Sequence, residues 1–125
     1  MERRSMNILV ADDLEIYRLG MKLYLKQIWP LAYIGEAESL HEVINQVFDV
    51  FYDLLILDID MPGTELLEDF IVQAIKYTKV VLFSSFDINE ERVVNLMSIG
   101  THVFIPKTAS KEEVINSLYL LFKEA

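Results

Sequence analysis

Short apolar runs alternate with longer amphipathic stretches from residue 7 almost to the C-terminus. Ile8-Leu9-Val10-Ala11, Leu54-Leu55-Ile56-Leu57 and Val80-Val81-Leu82-Phe83 are continuous and bounded by polar or turn residues, as strands buried on both faces are. The pattern predicts strands over 7–11, 33–37, 53–57, 79–84 and 102–105. Between and after them it predicts helices over about 14–28, 40–48, 65–76, 89–98 and 111–123. In the first helix Ile16, Leu19, Leu23 and Tyr24 fall on one face, and Pro30 closes it. Ser39 with Glu42, and Ser110 with Glu113, have the spacing of capping boxes. Met61-Pro62-Gly63 reads as a turn, and Gly100 as the stop of the fourth helix. Five βα units in succession imply a doubly wound parallel five-stranded sheet of the flavodoxin-like class, with helices on both faces. One domain over 7–125 is expected, preceded by a disordered N-terminus over 1–6.

Composition narrows the function more than the fold. The 125 residues suffice for one core, and 53% are hydrophobic. No apolar run approaches the roughly 20 residues of a membrane span, so no membrane association is expected. Two early arginines are not followed by a long apolar stretch, so no signal peptide is expected either. The lack of cysteine fits a reducing compartment, and the expected location is cytoplasmic. A net charge of −9 argues against direct nucleic-acid binding and permits a divalent cation or a basic partner. His41 and His102 have no third nitrogen or thiol ligand nearby, so zinc is not expected.

The chemistry lies where strands end. Asp12-Asp13 follows the first apolar run, and Asp58-Ile59-Asp60 follows the third. Buried strands rarely end in carboxylates that lack a partner or a task. Two such ends side by side make an acidic pocket at the sheet rim, the position where open α/β folds bind ligands. Read singly, the aspartates also suit helix capping or a turn.

Four segments in order carry a resemblance: Ile8-Leu9-Val10-Ala11-Asp12-Asp13, Leu57-Asp58-Ile59-Asp60-Met61-Pro62-Gly63, Leu82-Phe83-Ser84-Ser85 and Phe104-Ile105-Pro106-Lys107. Together they resemble a bacterial response-regulator receiver domain over nearly the whole chain. The run Phe104-Ile105-Pro106-Lys107-Thr108-Ala109-Ser110 is similar to the NarL/FixJ-type subfamily. The resemblance implies Asp58 as phosphoacceptor, and Mg²⁺ (or Mn²⁺) held by Asp12, Asp13, Asp58 and the backbone carbonyl of Asp60. It implies Lys107 as the phosphoryl-binding cation and a serine with Phe104 as the switch. The spacing usual in the family, to the lysine (Lys107) and to Glu90-Glu91, implies Ser85; Ser84 fits if the following loop carries an extra residue. The implied donor is a histidine kinase or phosphotransfer protein. The implied output is a changed partner surface, with a possible homodimer on phosphorylation and transcription control through a DNA-binding domain outside this chain.

The chain departs from the family pattern in places. Phe104 lacks the hydroxyl of the frequent tyrosine, Phe86 stands where a small residue is usual, Thr101-His102-Val103 replaces a more typical Ala-Asp-Gly, and the segment after Gly63 is short. Three alternatives stand beside this reading. A haloacid-dehalogenase-type phosphatase shares an Asp-x-Asp after a buried strand, but places its nucleophile near the N-terminus. A stand-alone or phosphorylation-independent receiver would act by protein binding alone. A flavodoxin-like carrier would need a phosphate loop after the first strand, which this sequence lacks.

Overall fold

A computed structural model describes residues 5–123. Strands β1 (Asn7–Ala11), β2 (Tyr33–Ala37), β3 (Leu54–Leu57), β4 (Lys79–Ser84) and β5 (Val103–Pro106) alternate with helices α1 (Glu15–Ile28), α2 (Leu40–Asp49), α3 (Leu67–Ala74), α4 (Glu91–Ile99) and α5 (Lys111–Leu121). All strands pair in parallel in the order β2-β1-β3-β4-β5. The first four residues of the expected disordered N-terminus lie outside the described residues. Met6 is half-buried, and its carbonyl accepts the Tyr33 N–H.

The period-two alternation of the strands divides the core into two layers. Leu9, Ala11, Leu55, Leu57, Val80 and Leu82 face α2, α3 and α4. Ile8, Val10, Leu54, Ile56, Val81 and Phe83 face α1 and α5. The β1–β3 register pairs Ala11 with Leu57, so both strands release their aspartates at the same edge.

The second expected capping box is complete and the first is half-formed, because Glu42 Oε1 accepts the Glu38 N–H and not that of Ser39. Ser39 accepts the Glu42 N–H, and Ser110 and Glu113 form a reciprocal box. Gly63 turns the chain at φ 88°, a conformation that favours glycine, before a 3-10 turn over Thr64–Leu66. That turn replaces the first residues of the expected third helix. Gly100 ends α4 at φ 128°. Thr101 and His102 serve the fold: the Thr101 hydroxyl donates to the Leu96 carbonyl, and His102 Nδ1 accepts the Val80 N–H at 3.0 Å. Burial, reinforced by Lys79, holds the His102 imidazole below its ordinary pKa, which suits a ring nitrogen used as an acceptor.

Helix α1 presents a different face from the one Ile16, Leu19 and Leu23 suggested. Those three are 71%, 45% and 68% exposed. The helix instead buries Met21 and Leu25 and packs Tyr17, Tyr24 and Ile28 against the sheet. It carries two apolar stripes, and the wider, more aromatic one wins the core. Arg18 is buried with that stripe because its guanidinium has partners: Nη1 donates to the Asp12 carbonyl at 2.8 Å and Nε to Glu36 at 2.8 Å.

Candidate functional site: a carboxylate–ammonium pocket

The site forms where β1, β3 and β5 end. Asp12 is held from three directions. Its N–H donates to the Ala37 carbonyl, its carbonyl accepts from Arg18, and its Oδ1 accepts the Leu14 N–H at 2.9 Å. The carboxylate therefore closes a tight local turn and does not cap α1, whose N-cap residue, Leu14, has no side-chain bond. Asp58 leaves β3 with its N–H on the Ala11 carbonyl and its Oδ1 accepting the Asp60 N–H at 3.2 Å.

Lys107 reaches into this pair from β5. Its backbone N–H donates to the Ser84 carbonyl at 2.8 Å, which fixes where its side chain starts. Its Nζ lies 2.7 Å from Asp12 Oδ2 and 3.5 Å from Asp58 Oδ1, with side chains 7%, 1% and 3% exposed. Lys107 thus turns its ammonium into the protein and away from solvent. Asp13 is exposed at the mouth, and one carboxylate oxygen each from Asp12, Asp13 and Asp58 lie within 4.8 Å of one another. Asp60 is exposed on the same loop.

The charge balance is unequal. Burial and the neighbouring Asp12 carboxylate raise Asp58 to about 6, against the opposing pull of Lys107. One ammonium does not neutralise two buried carboxylates. Asp12 Oδ2 is buried, and apart from its ion contact with Lys107 it has no hydrogen-bond partner among the described residues.

Ser84 and Ser85 differ sharply. Ser84 is buried, pairs with Pro106 across the sheet, and its Oγ accepts the Phe86 N–H at 3.1 Å. By strand alternation it lies on the face of Leu82, the face that Phe104 also packs against. Ser85 is exposed and, with Phe86, Asp87, Ile88 and Phe104, rims a groove beside β5. A concavity of about 450 Å³ lies at the opposite end of the sheet among Phe48, Phe51, Tyr52, Phe70 and Tyr77, away from the carboxylates.

Two neighbours of the pocket were not expected from sequence. Tyr17 places its ring 4.0 Å from Lys107 Nζ, and Phe83 meets Tyr17 edge-on at 6.1 Å. Arg18 secures the backbone of Asp12.

A parallel α/β domain with a buried Asp–Asp–Lys cluster at the C-terminal edge of its sheet defines the class. The chain matches the response regulator receiver domain over residues 8–119, and it belongs to that family of two-component signalling proteins. It is 27% identical over 117 residues to the response regulator protein VraR of Staphylococcus epidermidis, an alignment covering 91% of this chain and 55% of the relative. The chain thus spans about half the length of the curated relatives it matches. Among solved structures, the NarL signal receiver domain of Mycobacterium tuberculosis superposes with a TM-score of 0.77 at 22% identity, covering 95% of this chain and 97% of that one. The isolated receiver domain of RcsB from Salmonella enterica serovar Typhimurium, solved with the phosphomimetic BeF3−, gives 0.81 at 22% identity, covering 94% and 88%. These likenesses support the flavodoxin-like receiver fold. Among the described residues, no helix is long and apolar enough to cross a membrane.

Proposed function

We propose that this chain is a phosphorylation-controlled switch that accepts a phosphoryl group on Asp58. The observation that carries the reading is the buried Lys107 ammonium set between Asp12 and Asp58. An Asp58 carboxylate oxygen attacks the phosphorus of a phosphohistidine on a kinase or phosphotransfer protein. The P–N bond breaks, its electron pair stays with the imidazole, and an aspartyl phosphate forms. Lys107 is placed to meet the phosphoryl oxygens. Later attack by water on phosphorus releases inorganic phosphate and restores the carboxylate. The chain thus promotes its own phosphorylation and loses the group by hydrolysis, without metabolic turnover.

The donors suit a hard divalent cation, Mg²⁺ or Mn²⁺: every ligand is an oxygen, and the clustered Asp12 and Asp58 carboxylates share a single ammonium, Lys107. Asp12, Asp13 and Asp58 would hold it with the Asp60 carbonyl. When bound, it supplies charge neutralisation at the transferring phosphoryl.

Intact mass after incubation with acetyl phosphate or phosphoramidate, with and without Mg²⁺, tests this. Wild type with Mg²⁺ is expected to gain one phosphoryl group and Asp58→Asn none. Equal labelling of both would overturn the assignment.

For the switch hydroxyl, the sequence spacing favours Ser85, but the observed register supports Ser84. Ser84 directly precedes the bend, its carbonyl holds Lys107, and accepting from Phe86 leaves its hydroxyl proton free to donate. A phosphoryl group drawing that hydroxyl inward would break the Phe86 contact and let Phe104 repack, changing the face formed by α4, β5 and α5. Amide NMR with beryllofluoride and Mg²⁺ is expected to show shifts across residues 86–106 in wild type. Ser84→Ala should lose most of that response and Ser85→Ala keep it. The reverse pattern returns the role to Ser85.

The output is a changed binding surface, including a possible homodimer. RcsB dimers have been solved on DNA, and the curated relatives extend well beyond the length matched here. Transcription control through a DNA-binding domain outside these residues fits both facts. The −9 charge makes this portion a poor nucleic-acid binder by itself.

A further inference from the structure

Lys107 carries three N–H donors in a site almost closed to water. Asp12 takes one side of the ammonium at 2.7 Å and Asp58 a second at 3.5 Å. The third side faces the Tyr17 ring, whose centroid is 4.0 Å from Nζ. Phe83 is farther, 5.8 Å from Nζ, and its edge-on contact at 81° sets the tilt of Tyr17. An aliphatic side chain at residue 17 would fill similar space but leave a buried donor facing hydrocarbon, which is costly. A ring face accepts it through its negative quadrupole.

We propose that Tyr17 is a positioning residue for phosphoryl transfer: its ring holds the Lys107 ammonium in the pocket while the ammonium shifts from Asp12 toward the phosphoryl group on Asp58. The inference rests on the receiver reading above. It has a structural logic. An ammonium held only by carboxylates is bound tightest in the resting state, where both are free. The ring's hold does not depend on Asp12, so it counts for most while the ammonium is leaving that carboxylate, and losing the ring raises the barrier to the shift. Tyr17 lies in the first turn of α1, and Arg18 beside it braces the Asp12 carbonyl. The start of α1 thereby fixes both the cation and one of its carboxylate partners.

The test uses the chain with acetyl phosphate and Mg²⁺, following the rate of Asp58 phosphorylation by intact mass. Tyr17→Leu is expected to slow the reaction roughly 3- to 10-fold, the size of a partly buried cation–π contact. Tyr17→Phe should restore most of the rate, because the ring and not the hydroxyl is used. A series of phenylalanines bearing more fluorine at position 17 keeps the shape while weakening the quadrupole, and should slow the reaction stepwise. It also covers the case in which Tyr17→Leu folds poorly. A direct readout is the Lys107 ε-methylene proton resonance. Over a ring face it should lie upfield in wild type and Tyr17→Phe, and return to an ordinary position in Tyr17→Leu. A flat fluorination series, a Tyr17→Leu rate equal to wild type, or an unshifted wild-type resonance would each overturn the inference. Failure of wild type itself to take up phosphoryl would instead overturn the phosphoacceptor reading, and this role for Tyr17 with it.

Discussion

Lys107→Met is expected to destabilise the protein by roughly 3–5 kcal/mol at pH 8, the usual cost of removing one member of a buried ion cluster. Methionine keeps the apolar stem and removes the ammonium that meets Asp12 at 2.7 Å and Asp58 at 3.5 Å. Two nearly inaccessible carboxylates then face each other without a cation. The loss should depend on pH in a defined direction. Lys107 opposes the rise of Asp58, so without it Asp58 titrates above the value of about 6 it has in wild type. Below that pH the carboxyl takes a proton, the repulsion ends, and the variant recovers stability relative to wild type. Urea unfolding of both proteins at pH 8 and pH 5 measures this. A deficit of the same size at both pH values would show that lost packing, and not charge, sets the cost.

The parts of the site readable from sequence are those that end strands. Asp12, Asp58 and Lys107 each follow an apolar run, and parallel registers such as Ala11 with Leu57 carry those ends to one edge. A run of four apolar residues states both a strand and its exit, so little else is needed. The parts that were hidden depend on rotation and register. Tyr17 looks like any core aromatic of an amphipathic helix, and Arg18 like a surface charge. Only the rotation of α1 about its axis decides which stripe turns inward, and Ile16, Leu19 and Leu23 satisfied helical spacing as well as Met21, Tyr24 and Ile28 did. The choice between Ser84 and Ser85 is likewise a matter of one residue. Spacing along the loop does not separate a longer loop from a shorter strand, and the pairing of Ser84 with Pro106 is what supports the proposal of Ser84. The turn at Thr64–Leu66 follows the same rule: its residues have helical character, but the left-handed Gly63 starts them in a 3-10 geometry.

The pocket also stores instability that the function would need. Asp58→Asn is expected to make the metal-free protein more stable than wild type by about 2–3 kcal/mol above pH 7. The carboxyl has its pKa raised to about 6 in the folded state by burial and by Asp12, with the pull of Lys107 already counted. In an unfolded chain an aspartate titrates near 3.9, so the folded state holds the proton about two pH units more tightly, and each unit is about 1.4 kcal/mol. Ionising Asp58 therefore costs stability, and the sign follows. The cost is absent below about pH 4, grows between about pH 4 and 6, and is complete above that. Asparagine, uncharged at every pH, never incurs it. The stability difference between Asp58→Asn and wild type should thus be largest at neutral pH and shrink toward zero as pH falls to 4. Added Mg²⁺ should narrow it from the other side, because a cation bound to the carboxylates stabilises wild type by mass action and has fewer charged ligands in the variant. Paired urea titrations from pH 4 to 8, with and without millimolar Mg²⁺, provide the measurement. An asparagine variant no more stable than wild type at pH 7.5 would mean that Asp58 ionises without cost, and that the pocket does not hold the strain its buried carboxylates imply.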